Sequence, residues 1–151
     1  MQTEATETIT HEIRIDASPE TVFSFFTDPD KMVRWKGQLA RLDPRVGGEY
    51  YVDITGDDVA KGEYIEIDPP KRIVFTWGWV GEGHPIPPGS TRVEVTLEPD
   101  GDATLLRLVH SGIPAGFGKV HSEGWDTYLP RLAVAASGGD PGADPHEEGG
   151  M

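Results

Sequence analysis

The segment Ile9-Thr-His-Glu-Ile-Arg-Ile-Asp16, followed at once by Ala17-Ser-Pro-Glu20, decides how the fold begins. In the first segment Ile9, His11, Ile13 and Ile15 alternate with polar residues and share one face. This period of two is typical of a half-buried β-strand. In the second segment Ser18 suits the N-cap of a helix, Pro19 its first position and Glu20 its first turn. The sequence therefore predicts a strand that leads directly into a helix.

A second short helix and a series of strands follow. Asp28-Pro29 ends the first helix and opens the second, which continues through Trp35. Further segments with period two lie between turns rich in Gly, Pro and Asp, among them Gly47-Gly48 and Gly56-Asp57-Asp58. Strands at this regular spacing, joined by short turns, are typical of an antiparallel meander. The predicted strands are Tyr50–Ile54, Val59–Ile67, Lys71–Trp77, Thr91–Leu97 and Thr104–His110.

The period changes near the end of the chain. From about Phe117 to Ala136 the apolar residues recur at helical spacing, which predicts a long amphipathic helix. A single sheet with one apolar face needs a cover, and only this helix is long enough to supply it. We therefore predict an α+β fold with six or seven antiparallel strands, two short helices after the first strand, and one long C-terminal helix.

The composition limits the classes of partner. The 151 residues include 13 basic and 26 acidic side chains, so the formal net charge is −13. Nucleic-acid backbones and anionic membranes attract basic proteins, so we expect neither as a partner. The chain has no cysteine, which excludes disulfides and thiolate metal sites. The first ten residues show neither the basic nor the apolar region of a secretory signal, and we expect a cytoplasmic protein.

The same composition suggests the domain boundaries. Residues 138–151 contain Gly, Pro and acidic residues and no large aliphatic or aromatic residue before Met151, so we predict a disordered acidic tail there. That tail carries four of the acidic side chains. We expect one domain over residues 8–137 and a flexible N-terminus over residues 1–7.

Several motifs together resemble a known superfamily. The opening, Ile13–Phe23, resembles that of the START-like proteins (SRPBCC, birch-pollen-allergen-like). Other motifs resemble the branch named after the activator of the heat-shock-protein-90 ATPase, and they cover nearly the whole domain in the order of the family. These motifs are Asp28–Trp35, Gly47–Tyr50, Gly62–Trp77, His110–Pro114 and His121–Trp125 with Leu129 and Leu132. The resemblance implies a helix-grip fold, in which a curved antiparallel sheet wraps around the C-terminal helix. An apolar cavity is expected between the sheet and the helix.

The resemblance implies three kinds of function. Members of the superfamily hold lipids, sterols, polyketides or plant hormones, or they cyclise polyketides, and the eukaryotic member of this branch acts on a chaperone. We favour non-catalytic binding of a small hydrophobic or aromatic ligand, because the sequence places only His110 and a tyrosine where a polar catalytic group could form. A polyketide cyclase or aromatase is the first alternative, and a co-chaperone or adaptor that acts through its surface is the second. A homodimer fits all three.

The candidate site residues are mostly aromatic. We expect Trp77, His110 and Trp125 to contact the ligand, since indole rings with one polar N–H suit a half-wet pocket wall. We expect the rim of the pocket to contain Trp35, Tyr50 and Trp79. The alternative for each ring is simple core filling, and for His110 it is a core histidine satisfied by a neighbouring hydroxyl or carbonyl.

The other polar residues show no pattern of a cofactor, metal or catalytic site. The five histidines, at 11, 84, 110, 121 and 146, lack metal-ligand spacing, and we predict no metal. No nucleotide-binding loop is indicated, and the sequence shows no recognisable base partner pattern for Ser90, Ser111 or Ser122. We therefore predict no cofactor and no catalytic residue. The long segment 78–90 is rich in Gly and Pro, and we interpret it as a lid, a dimer contact or a variable surface loop.

Overall fold

The structure is a computed structural model that describes residues 6–54, 59–81 and 86–142. Seven strands form one antiparallel sheet in the order β1-β7-β6-β5-β4-β3-β2. The elements are β1 (Thr6–Ile15), α1 (Pro19–Ser24), α2 (Pro29–Met32), β2 (Leu39–Leu42), β3 (Glu49–Asp53), β4 (Val59–Asp68), β5 (Arg72–Trp77), β6 (Thr91–Asp100), β7 (Ala103–Pro114) and α3 (Gly118–Ala136). The predicted fold class, a curved antiparallel sheet with two short helices and a long C-terminal helix, is confirmed.

Local sequence signals position the two short helices as expected. The Ser18 hydroxyl accepts a hydrogen bond from the backbone N–H of Thr21 at 3.2 Å, which satisfies one free donor at the start of α1. The Asp28 carboxylate accepts one from the N–H of Asp30 at 2.9 Å at the start of α2. Each helix has a proline in its first turn. These caps explain why the chain turns so abruptly after β1.

The pairing of the first strand with the last brings distant segments together. β1 pairs with β7, and α3 packs against β1. In this register Ile9 lies beside His110, and Val93 of β6 lies on the other side of the same histidine. Trp77, at the end of β5, pairs with Thr91, at the start of β6. The end of the sheet where these residues meet holds the candidate site.

The structure adds one strand to the sequence prediction and moves the bounds of several elements; β7, for example, runs to Pro114, and α2 ends at Met32. β2 was not predicted, because its four residues are only half-buried or exposed and carry no clear apolar alternation. β1 begins at Thr6, so the predicted flexible N-terminus is wrong for its last two residues. The first residues of the predicted acidic tail contact α3, because the Arg131 guanidinium donates hydrogen bonds to the carbonyls of Pro141 and Gly142. The disorder of 138–151 stays a prediction.

Some predictions fall outside the described residues. They are the turn at 56–58, the rest of the acidic tail from 143, and the centre of segment 78–90, at 82–85. The described ends of that segment are joined by a hydrogen bond from the Trp79 N–H to the Ile86 carbonyl at 2.7 Å, and Ile86 is fully buried. No helix in the described ranges combines the length and the apolar character needed to cross a membrane.

Candidate functional site

Three indole rings and two imidazole rings meet at the end of the sheet where β5 stops and α3 begins. We call this group the indole–imidazole cluster; its members are Trp77, Trp79, His110, His121 and Trp125. The Trp77 ring lies at its centre, with ring centroids 4.8 Å from Trp79, 5.1 Å from His110 and 5.5 Å from His121. All three contacts are edge-to-face, the geometry that aromatic quadrupoles favour. His121 and Trp125 are four residues apart on α3 and therefore point from one face of the helix.

The polar atoms of His110 form a chain of hydrogen bonds that fixes its protonation. The Thr91 hydroxyl donates to the Trp77 carbonyl at 2.6 Å. That hydroxyl therefore accepts from His110 Nε2, which lies 2.8 Å away. Trp125 Nε1 can only donate, and it lies 3.2 Å from His110 Nδ1, so Nδ1 is the acceptor. This network assigns a neutral His110 with its proton on Nε2.

Burial and charge keep His110 neutral. Its side chain is completely buried, and desolvation lowers its pKa to about 3, with smaller contributions from His121 and the positive charge of Lys36. Both ring nitrogens are bonded to protein groups. This matches the alternative of a core histidine satisfied by a neighbouring hydroxyl, which the sequence left open beside a ligand-binding role.

His121 has the opposite tautomer. Its Nδ1 lies 2.8 Å from the Phe117 carbonyl, which can only accept, so Nδ1 carries the proton. The unprotonated Nε2 accepts a long hydrogen bond of 3.4 Å from Trp79 Nε1. The two acceptor nitrogens of the cluster are thus each occupied by an indole N–H.

Trp77 is the exception among the tryptophans. All four lie in the described ranges, and the other three direct Nε1 to a partner: Trp35 to the Phe25 carbonyl, Trp79 to His121 and Trp125 to His110. Trp77 Nε1 is buried and has no hydrogen-bond partner among the described residues. A buried donor without a partner costs about 1–3 kcal/mol.

A buried lysine faces the same rings. Lys36, which follows α2, is only 3% exposed. Its Nζ lies 4.4 Å from the Trp125 ring centroid, 5.5 Å from that of Tyr128 and 5.7 Å from that of Trp77. These distances place the ammonium within range of cation–π attraction to three rings. Sequence reasoning missed Lys36, because a lysine directly after a short helix is normally solvated.

The predicted site residues divide into two groups. Trp77, Trp79, His110 and Trp125 come together in the cluster. Trp35 and Tyr50 do not: Trp35 is fully buried against Phe26, and Tyr50 is stacked on Phe75 with ring centroids 4.2 Å apart. Burial raises the pKa of the Tyr50 hydroxyl well above its ordinary value. The prediction that these two rings form a rim is wrong, because both side chains fill the core.

A second polar cluster joins β1 to α3. The imidazole of His11 has Nε2 at 3.1 Å from the Ser122 hydroxyl and Nδ1 at 3.3 Å from the Asp126 carboxylate. The sequence shows no pattern that links Ser122 to a base, because the partner lies 111 residues away in sequence. These residues border an open groove of about 580 Å³, lined by Glu7, Thr8, Ile9, Gly118, Lys119, Ser122, Glu123 and Asp126.

The order serine, imidazole, carboxylate is that of hydrolases, but a serine nucleophile also needs donors for the oxyanion. The backbone N–H groups of Gly116 and Gly118, at the start of α3, both donate to the Glu7 carboxylate, at 2.9 and 2.8 Å. Asp126 is largely solvated, with 69% of its side chain exposed. We therefore interpret the Ser122–His11–Asp126 contacts as a link between strand and helix. Within the described ranges, no three His, Cys, Asp or Glu side chains are grouped as a metal site.

Known proteins resemble this chain over most of its length. The family described as Activator of Hsp90 ATPase homolog 1-like protein matches residues 16–137. An AHSA1-like protein of Rhizobium etli, solved in solution, is 40% identical, with a TM-score of 0.75 over 96% of this chain and 92% of that one. An uncharacterized protein of Schizosaccharomyces pombe is 26% identical over 74% of this chain and 31% of its own length. The chain thus spans about a third of that curated relative.

Two further structures share the fold. DynU16, a protein of the dynemicin biosynthetic locus, is 25% identical, with a TM-score of 0.76 over 89% of this chain and 48% of that one. The Aha1 dimer of Colwellia psychrerythraea is 23% identical, with a TM-score of 0.75 over 88% of this chain and 98% of that one. At that identity the second likeness concerns the fold alone.

Proposed function

The chain belongs to the family of Activator of Hsp90 ATPase homolog 1-like proteins, and from this we propose that it binds a small apolar or aromatic molecule, without chemical change, at the indole–imidazole cluster. The observation that carries the proposal is the buried N–H of Trp77, which has no hydrogen-bond partner in the part of the chain that the structure describes. A ligand with a hydrogen-bond acceptor at this position would recover the free energy that the unpaired donor costs.

The surroundings of Trp77 suit such a ligand. Binding sites for small molecules are mostly apolar and aromatic, with a few polar groups that fix orientation. Here the indole rings of Trp79 and Trp125 provide apolar area next to the single free donor, and Trp79 is only half-buried. The likeness to DynU16, a protein of the dynemicin biosynthetic locus, also supports this proposal.

Binding is favoured over catalysis by the state of the histidines. A general acid or base needs a free nitrogen and a pKa near the working pH. Both nitrogens of His110 are engaged, and its pKa is about 3. Both nitrogens of His121 are engaged as well. A homodimer and a chaperone partner stay predictions beside this proposal.

The proposal can be tested with a neutral fluorescent probe, N-phenyl-1-naphthylamine, whose emission rises in apolar surroundings. We expect saturable binding at one site per chain. Replacing Trp79 with Ala removes a wall of the cluster and should weaken binding by about tenfold, as expected for the loss of a large apolar contact. Binding is measured by titration at constant protein concentration.

Val120→Ala is the matched control, because Val120 lies on the same helix as His121 but is 57% exposed. It should leave the dissociation constant unchanged. Native mass spectrometry of the protein purified from its own host gives an independent readout of a retained small molecule. If the folded wild-type protein does not bind the probe and retains no small molecule, the proposed function is wrong.

A further inference from the structure

We propose that the ligand presents to Trp77 Nε1 an oxygen that accepts hydrogen bonds and donates none, as the carbonyl of an aromatic ketone does. This inference rests on the proposed function, since it names the polar group of the molecule bound at the same cluster. It follows from which hydrogen-bonding atoms of the cluster are already occupied.

The first step concerns the donors. An indole nitrogen donates and never accepts, and three of the four tryptophans already use theirs within the protein. The nitrogen of Trp77 has no partner among the described residues, although Trp77 is only 4% exposed. The ligand atom that fits beside this nitrogen is therefore an acceptor.

The second step concerns the imidazole acceptors of the cluster. His110 Nδ1 lies 3.2 Å from Trp125 Nε1, and His121 Nε2 lies 3.4 Å from Trp79 Nε1. The other nitrogen of each imidazole carries its proton and also has a partner. A hydroxyl or amine of the ligand would thus bring a proton for which neither imidazole has a free nitrogen.

The third step concerns the choice of polar group. A hydroxyl that accepted from Trp77 would also have to place its own proton, and a buried donor without a partner costs free energy. A carbonyl oxygen has two lone pairs and no proton, so it satisfies Trp77 and leaves no donor unpaired. The rings of Trp79 and His121 meet that of Trp77 edge-to-face at 4.8 and 5.5 Å, so aromatic surface adjoins the free donor.

Three tricyclic probes vary the polar group while the aromatic frame stays nearly constant. At the same position of the frame fluorenone carries a carbonyl, carbazole an N–H and fluorene a methylene. All three are uncharged, so charges near the cluster contribute little to the comparison. We expect the folded wild-type protein to bind fluorenone about fivefold more tightly than either of the others, a factor typical of one net hydrogen bond. Equilibrium dialysis measures the bound and free concentrations of each probe.

The indole N–H signals in the nuclear magnetic resonance spectrum of the wild-type protein give a readout at the site itself. Four are expected, one for each tryptophan, and Trp77→Phe identifies the signal of Trp77 by its loss. Fluorenone should place the proton of Trp77 Nε1 downfield of its position with fluorene, because a new hydrogen bond deshields the donor proton.

Variants then identify the donor by dialysis. Trp77→Phe keeps an aromatic ring and removes the free N–H, so fluorenone should lose its advantage over fluorene. Trp79→Phe is the matched control, because it removes an N–H that is already directed to His121; the preference for fluorenone over fluorene should persist. Near-ultraviolet circular dichroism confirms that each variant is folded.

The outcomes separate the two proposals. If fluorene or carbazole binds wild type as tightly as fluorenone, or if both fluorenone and fluorene leave the Trp77 signal at the same position, the carbonyl inference is wrong and the binding function stands. A full preference for fluorenone in folded Trp77→Phe contradicts the inference as well. If folded wild type binds none of the probes and retains no small molecule, the proposed function fails and the inference fails with it.

Discussion

The protonation state of His110 follows from three neighbours and not from the histidine alone. The Thr91 hydroxyl donates its one proton in a hydrogen bond to the Trp77 carbonyl. The imidazole must therefore donate from Nε2 to Thr91 and accept at Nδ1 from Trp125. Protonating Nδ1 would break the bond from Trp125 and place a charge in a buried site that already feels Lys36. This residue therefore couples folding to pH.

We predict that, as the pH is lowered, the free energy of unfolding decreases more steeply in wild type than in His110→Gln. His110 has a pKa of about 3 when folded and an ordinary value near 6.5 when unfolded. Between about pH 6 and pH 4 the unfolded chain therefore binds a proton that the folded chain does not, and each pH unit removes about 1.4 kcal/mol of stability. Urea unfolding at several pH values measures both slopes.

The comparison is of slopes, so it holds even if the variant is less stable at neutral pH. The slope attributable to His110 should vanish below about pH 3, where both states carry the proton. Parallel curves for the two proteins over the whole range would show that His110 is not held neutral.

Buried polar residues such as His110 can be predicted only in part from the sequence. The inward position of His110 could be predicted, because it shares the period of Leu106 and Leu108 in β7. Its partners could not, since Thr91 and Trp125 lie in other elements. The burial of Lys36 could not be predicted either, because a lysine directly after a short helix is normally solvated. Trp35 and Tyr50 were assigned to the rim because residue type does not say how deeply a ring is packed.

At the level of elements, the start of α3 depends on the first strand. The helix has no side-chain cap from its own N-cap residue, Phe117. Instead the Glu7 carboxylate of β1 accepts from the N–H groups of Gly116 and Gly118. A Cβ atom at Gly118 would lie 2.1 Å from Glu7 Oε1, so any larger residue there would displace the Glu7 carboxylate from this position. A residue about 110 positions away in sequence thus replaces the usual local cap.

We predict that Glu7→Gln destabilises the protein by about 0.5–2 kcal/mol, because it removes a negative charge from the positive end of a helix and weakens two hydrogen bonds. Thermal or urea unfolding gives the size of the effect, and amide exchange at Gly116 and Gly118 should become faster.

Glu12→Gln is the control, since Glu12 lies on the same strand with an exposed side chain. It should change stability by less than about 0.5 kcal/mol. If both variants behave alike, or if exchange at the two glycines is unchanged in Glu7→Gln, the carboxylate does not cap α3.

The elements themselves were largely predictable. Strong period-two segments and the helical period of 117–136 gave six strands and the long helix, and the Ser18 and Asp28 caps marked the short helices. β2 could not be predicted, because Leu39–Leu42 is short and its residues are half-buried or exposed. The contacts of His11 with Ser122 and Asp126 could not be predicted, because no local pattern links a strand to a helix that follows it by 111 residues.

At the level of the whole molecule, the net charge of −13 opposes compaction. Three ion pairs of the described residues lie at the surface with both side chains exposed, where each contributes at most about 1 kcal/mol. The repulsion among the excess carboxylates is spread over the whole chain and is screened by salt over about 10 Å at 0.1 M.

We therefore predict that adding sodium chloride, from about 0.02 to 0.2 M, raises the melting temperature at neutral pH. Differential scanning calorimetry measures the shift. Choline chloride is the control for specific sodium binding and should act equally. A melting temperature that falls with salt would mean that attractive ion pairs dominate over the general repulsion.

The pairing of β1 with β7 has a consequence for synthesis on the ribosome. β1 ends at Ile15 and its partner begins at Ala103. At about 5–20 residues per second, translation leaves the emerging first strand without its partner for roughly 5–20 s. During that interval its isoleucines and unpaired backbone groups are available to chaperones and to other nascent chains. Slowing translation of the middle of the message should therefore lower the yield of folded protein more than slowing its last codons.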